Sequence, residues 1–223
     1  FSNLHSELPG MIAKYCSESA VKKFIHISAI GANANSKSIY QKSKFEGEQK
    51  ALNNFKNTVI VRPSVVCGTE DNFTNLFAKI SMAPVIPVVK TLYKFQPILV
   101  NDVASAIINS IETKNNGGEI YEIGGPKIIS FGDMVKSILS TIGKKRLVID
   151  LPMPLARIQA SLFSLMPKPL LTKDQCEILN EADNIVSNNH LTLKDLNIKP
   201  NDVEQGMSKW LWRFRDGGEF AKL

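Results

Sequence analysis

The chain has 223 residues, 43% hydrophobic and 22% charged, with 27 Lys or Arg against 21 Asp or Glu for a net charge of +6. That size and balance fit one globular domain, or one domain with a small appendage. No run of about 18 uncharged apolar residues occurs, which argues against a membrane span, and no basic stripe interleaved with aromatics argues for nucleic acid.

Cys16, Cys67 and Cys176 are far apart and lack a C-x-x-C spacing. Reduced thiols in a cytosolic or matrix compartment are therefore expected, with no metal site. Lys22-Lys23 and Lys144-Lys145-Arg146 flank strand-like segments and read as solvated ends. A basic surface of this kind also suits an anionic membrane or an acidic partner subunit.

In chain order, residues 4–19 read as a helix with Leu4, Leu8, Met11, Ile12 and Tyr15 on the side that packs on a sheet. Pro9 is tolerated near the start of such a helix. "VKKFIHIS" reads as a buried parallel strand ending at Ser28, with His26 as a packed imidazole. The Asn/Ser/Gly-rich loop "AIGANANSKS" leads into a helix over 39–54 that carries Tyr40 and Lys44. Within it, Glu46 with Lys50 and Glu48 with Lys44 have i,i+4 spacing. "TVIVRP" is the next strand, and Pro63 opens a loop after it.

Residues 72–95 read as a helix followed by the proline-broken "APVIPVV". "PILVNDVASAIINSIET" reads as a short strand, a cap at Asn101/Asp102 and a helix, and a further strand is expected near 119–123. Residues 151–166 form an apolar helix marked only by Arg157 and Gln159. Core packing is its default use, but such a helix can also cover a cleft, dock on a subunit or lie on a membrane. Trp210 and Trp212, with Arg213 and Arg215, make an amphipathic tail in which one indole is expected to be buried.

Tyr40 and Lys44 carry the chemistry. Four residues apart on a helix, they share one face and can reach one ligand. A free phenol has a pKa of about 10, and a neighbouring ammonium favours its ionised form. A hydroxyl at Ser28 can hold a substrate oxygen against that phenol. The trio suits proton transfer to a carbonyl or from an alcohol while a cofactor moves a hydride. Tyr-x-x-x-Lys alone is a weak signal; its place between two strands strengthens it.

With Ser28 at a strand end, Tyr40-x-x-x-Lys44 on the helix and Arg62-Pro63-Ser64-Val65-Val66-Cys67-Gly68 on the next strand, the chain resembles the short-chain dehydrogenase/reductase superfamily, extended or atypical branch. The resemblance runs in order through "QPILVNDVASAI" and "GEIYEIGGPKIISFGDMVKSI" and spans nearly the whole chain. It implies catalytic roles for Ser28, Tyr40 and Lys44, and NADP or NAD contacts at Tyr40, Lys44, Pro63, Ser64 and Val65. An Asn that completes the family's tetrad aligns near His5, a departure that counts against turnover; His5 reads as a surface histidine at a helix start, with a proton relay as the alternative. "PLLTKDQCEILNEADNIVSNN" and "LTLKDLNIKPNDVEQGMSKWLWRFR" are similar to the tail of one group, the nucleotide-binding accessory subunit of respiratory complex I and its bacterial relatives.

The expected fold is α/β: the C-terminal part of a doubly wound, Rossmann-like parallel sheet in residues 1–150, then a small mainly helical subdomain in 151–223. The chain holds no G-x-x-G-x-x-G, so the glycine-rich part is expected upstream, in roughly a hundred further residues. The resemblance implies a complex I-associated accessory protein whose dinucleotide is mainly structural. An active reductase, dehydrogenase or epimerase, acting for example in quinone metabolism, is the alternative, and an assembly scaffold with a degenerate pocket is the third. Its compartment would be the bacterial cytoplasm at the inner membrane surface, or the mitochondrial matrix.

Overall fold

The computed structural model describes residues 2–114, 117–164, 166–167 and 169–220. The chain opens with a π-helical turn, Asn3–Glu7, that runs into α1 (Leu8–Glu18), β1 (Phe24–Ile27), α2 (Ile39–Asn54) and β2 (Thr58–Pro63). Next come β3 (Val66–Cys67), α3 (Thr74–Ile80), β4 (Val85–Val89), β5 (Lys94–Phe95), β6 (Ile98–Leu99) and α4 (Val100–Glu112). The last part holds β7 (Ile120–Ile123), β8 (Ile129–Ser130), α5 (Phe131–Thr141), β9 (Leu147–Leu151), α6 (Met153–Phe163), α7 (Lys173–Asn180), α8 (Val203–Gly206) and α9 (Ser208–Leu211).

The segments rich in β-branched residues assemble as a parallel sheet in the order β1-β2-β7. Its register pairs His26 with Ile60 and Arg62 with Glu122. Alternation sends Val59 and Val61 to one face, where Val103 and Ala106 of α4 cover them. The other face is covered by α2, whose Glu48 meets Arg62. Parallel strands joined through helices on both faces are the Rossmann-like α/β arrangement expected from the sequence.

Three short pairs extend the body: β3 with β6 and β4 with β9, both parallel, and β5 with β8, antiparallel. The stretch read as merely proline-broken is thus the strand β4. Pro87 is tolerated there because, among the described residues, β9 is the sole neighbour of β4. A second core gathers Phe73, Phe77, Phe95 and Phe131, whose rings meet mostly edge to face at 5.4–6.0 Å.

The C-terminal segment returns to both cores. Leu193 and Leu196 join Val59 and Val61, and Trp210 donates its indole N–H to Thr74 Oγ1 at 3.0 Å. One indole is buried, as expected, while Trp212 stays 50% exposed.

Two expectations fail here. Leu4, Leu8, Met11, Ile12 and Tyr15 face outward, and Pro9, Gly10 and Ala13 are the buried side of α1. Close approach explains the inversion: a Cβ on Gly47 of α2 would stand 1.9 Å from the His5 carbonyl oxygen, so only small residues fit this seam. Asp102 does not cap α4 either. It lies within the first turn, and its two oxygens accept from the backbone N–H and side-chain amide of Asn201 at 2.8 and 2.7 Å.

Candidate active site

Ser28 lies one residue beyond β1, its N–H still held by Val61 O at 2.7 Å. Alternation places it on the face of His26, beside Arg62 in the register and therefore under α2. Its Oγ and His26 Nε2 are both buried without a hydrogen-bond partner among the described residues.

On α2, residues 40, 44 and 48 share the face turned to the sheet. Glu48 is fully buried and clamps Arg62 bidentately, Nε to Oε1 at 2.8 Å and Nη2 to Oε2 at 2.7 Å. Arg62 Nη1 also lies 3.4 Å from Glu122 Oε1 and 3.2 Å from His190 Nε2. This clamp fixes the rotation of α2. The i,i+4 pairs read from the sequence do not form: Glu48 is taken by Arg62, and Lys50 pairs with Glu7 at 2.6 Å. Tertiary partners that desolvate or restrain the charge outcompete a solvated helical pair.

Freed from Glu48, Lys44 donates to Ile27 O at 3.0 Å, adjacent to Ser28. Tyr40, one turn earlier, is half-buried, and the His5 ring meets it edge-on at 5.3 Å. His5 Nδ1 lies 3.2 Å from Ser43 Oγ, so this histidine belongs to the site rather than to an open surface. It sits in the π-helical turn, a distortion that recurs at functional sites.

The nest disfavours charge. Burial pushes the Tyr40 phenol above its ordinary value, so the lowering expected from Lys44 is not present in this arrangement. Burial pulls the Lys44 ammonium down, opposed by Glu48. His26 is held neutral, its pKa lowered from 6.5 to about 4 by burial, then by Lys44 and His5.

At the neighbouring strand exit, Pro63 closes β2 and Ser64 N donates to Ile123 O at 2.9 Å. The Ser64 hydroxyl donates to Asn184 Oδ1 at 2.6 Å, and Asn184 Nδ2 donates to Ile30 O at 3.2 Å. Asn184 therefore ties together the exits of β1 and β2. Val65 turns into a cavity of about 390 Å³ bounded by α3, β4, α6 and α7.

Asp174 and Glu181 escape a sequence reading. Asp174 of α7 accepts from Ile39 N at 2.6 Å and from Ser38 Oγ at 2.9 Å, and Glu181 accepts from Lys37 N at 2.7 Å. Two carboxylates from the C-terminal third thus hold the positive start of α2. The nearest signal is the capping box of Thr172 and Gln175, which marks α7 but not its target.

All the sequence-derived site residues lie at the carboxyl ends of parallel strands or on the helix above them, where open α/β sheets bind ligands. The Ser28 hydroxyl is buried without a partner among the described residues, and the Lys44 ammonium reaches the carbonyl of the preceding residue, Ile27. Among the described residues no His/Cys/Asp/Glu group could hold a metal.

Fold and site together define a Rossmann-like domain of the extended short-chain dehydrogenase/reductase type. The chain belongs to the RmlD substrate binding domain family, whose model matches residues 5–214. It is 30% identical over 207 residues to subunit 9 of the NADH dehydrogenase (ubiquinone) 1 alpha subcomplex, mitochondrial, of Dictyostelium discoideum, covering 91% of this chain and 58% of that protein. The Mus musculus subunit of the same name is also 30% identical, over 218 residues, covering 96% of this chain and 58% of that protein. The chain spans well under two thirds of these curated relatives. Among solved structures, dTDP-4-dehydrorhamnose reductase of Bacillus anthracis, in complex with NADP, superposes with a TM-score of 0.66 at 19% identity, covering 92% of this chain and 70% of that one.

Proposed function

We propose that the protein holds NADP or NAD with its nicotinamide end at the exits of β1 and β2, and serves as an accessory or assembly protein of respiratory complex I in which the dinucleotide is mainly structural. Residues 1–150 would form the nucleotide-binding part and 151–223 the part that covers it. Lys44 would bind the nicotinamide ribose, Tyr40 would hold its proton at the phenolic oxygen, and Ser28 would orient an oxygen atom. The turn Pro63-Ser64-Val65 would border the ring through its backbone, since the Ser64 hydroxyl is committed to Asn184. The bound group itself supplies hydride chemistry.

The observation that carries the structural reading is the Tyr40 environment. The phenol is raised by burial, packed against His5, and near a lysine engaged with Ile27 O, so it is poorly set to exchange protons at neutral pH. The complex I relatives support the partner. Leu155, Ile158 and Leu162, 54–65% exposed on the outer side of α6, support docking on a subunit or a membrane surface. A bacterial cytoplasmic or mitochondrial matrix face suits the unpaired cysteines.

A second reading, an active reductase or epimerase, is favoured by one feature, the buried and unpartnered Ser28 Oγ. Nucleotide extraction from the purified protein, read by mass spectrometry, tests the first reading. Stoichiometric NADP(H) or NAD(H), retained in Tyr40→Phe, is expected; its absence from both proteins contradicts it. Turnover that falls at least about tenfold in Tyr40→Phe would select the second reading.

A further inference from the structure

The cavity beside Val65 does not look like a site for a nucleotide sugar. Its volume of about 390 Å³ is that of a small-molecule pocket. Among the described residues no Arg, Lys, His, Asp or Glu lines it, and Phe73, Phe77, Val85, Val88, Phe163 and Ile178 represent its walls. Four polar side chains reach it, and three are spent on the protein. Tyr93 donates its O–H to Ala182 O at 3.3 Å, Gln175 Oε1 accepts from Thr172 N at 2.9 Å, and Asn184 holds Ser64 and Ile30. A diphosphate buried here would meet no cation and few free donors.

We infer that this cavity binds the aliphatic chain of an amphiphile, an acyl or prenyl tail, with the polar head at the Val65–Asn184 end. Val65 directly follows Ser64, so a head placed there lies beside the exits of β1 and β2. Leu170 lines the cavity while 48% exposed, so the cavity has an apolar, solvent-reached wall, and α6, which also lines it, carries the exposed Leu155, Ile158 and Leu162. The tail-binding walls are separate from Ser28, Tyr40 and Lys44, none of which lines the cavity, while the head end at Val65 adjoins the place proposed for the nicotinamide ring.

The test is a fluorescence titration of the purified protein with cis-parinaric acid. A saturable rise is expected, reversed by palmitate if the head site prefers a carboxylate and by decylubiquinone if it prefers a quinone; UDP-glucose should not compete. Val88→Phe, at a buried wall position, and Ile178→Trp each take up cavity space and should weaken binding at least about tenfold while circular dichroism and melting show a folded protein. Ile108→Ser, on the exposed side of α4 and away from the cavity lining, should leave binding unchanged. Melting shifts with NADPH, measured in parallel, report the dinucleotide separately. No saturable binding, equal binding in the folded filled variants, or displacement by UDP-glucose would overturn the inference.

Discussion

Asp174 of α7 accepts a hydrogen bond from the Ile39 N–H at 2.6 Å, so the helix carrying Tyr40 and Lys44 starts on a carboxylate supplied 135 residues later. The same carboxylate takes the hydroxyl of Ser38, the residue that itself caps the helix through Gln41 N. Placement of the site therefore depends on the C-terminal third.

Removing that carboxylate should loosen α2 at its start. Asp174→Ala is expected to cost about 1–2 kcal/mol, the range of a lost helix cap with its favourable dipole. Urea denaturation measures the loss, and an unchanged midpoint would show that Ser38 suffices.

The Glu48–Arg62 clamp should respond asymmetrically. Glu48→Ala leaves a buried guanidinium whose remaining carboxylate partner among the described residues is the more distant Glu122, and should cost about 3–5 kcal/mol. Replacing both partners, Glu48→Leu with Arg62→Met, should recover part of that loss, because the two clamped charges are gone while the buried Glu122 keeps Ser187 N and His190 as neighbours. Equal destabilisation in the single and double variants would contradict the clamp.

His26 gives the protein a pH dependence of known sign. Folded, the imidazole takes a proton only near pH 4; unfolded, near 6.5. The unfolded chain thus binds more protons between these values, and stability falls as pH drops through that window, by at most about 3 kcal/mol. The charges of Lys44 and His5 act on this ring in the same direction as its burial. Melting temperatures from pH 7 to pH 5 should decline less steeply in His26→Gln than in the wild type. Parallel declines would assign the effect to other groups.

Gly47 should tolerate no side chain. A Cβ there would meet the His5 carbonyl oxygen at 1.9 Å, and backbone cannot swing aside as a side chain can. Gly47→Ala is expected to cost about 1–3 kcal/mol, the range of overpacking, and to shift the His5 ring off Tyr40. Thermal unfolding and the imidazole resonances of His5 report the two effects.

What could be read from the chain was local. The β-branched runs around Ile60 and Ile25, the strand end at Ser28 and the i,i+4 spacing of Tyr40 and Lys44 all encode their structure within a dozen residues. The outward face of α1 was misread because helical periodicity locates an apolar stripe but not its direction. Here the tight seam with α2 admits only Pro9, Gly10 and Ala13. Asp102 looked like a cap because it stands near a helix start, yet its partner Asn201 lies 99 residues away. Glu48, Asp174 and Asn184 are equally unreadable, since no spacing rule links them to Arg62, Ile39 and Ser64. The fate of the Tyr40 phenol likewise depends on burial, which only the assembled fold supplies.

The most direct test of a nicotinamide end seated between Ser28, Tyr40 and Lys44 is the shift in melting temperature caused by NADPH and by NADH in the wild type and in Lys44→Met. A clear rise in the wild type with at least one dinucleotide, falling by an amount equal to about tenfold weaker binding in Lys44→Met, is the predicted result. A wild-type protein whose melting temperature moves with neither dinucleotide, or a variant that responds as strongly as the wild type, would contradict it.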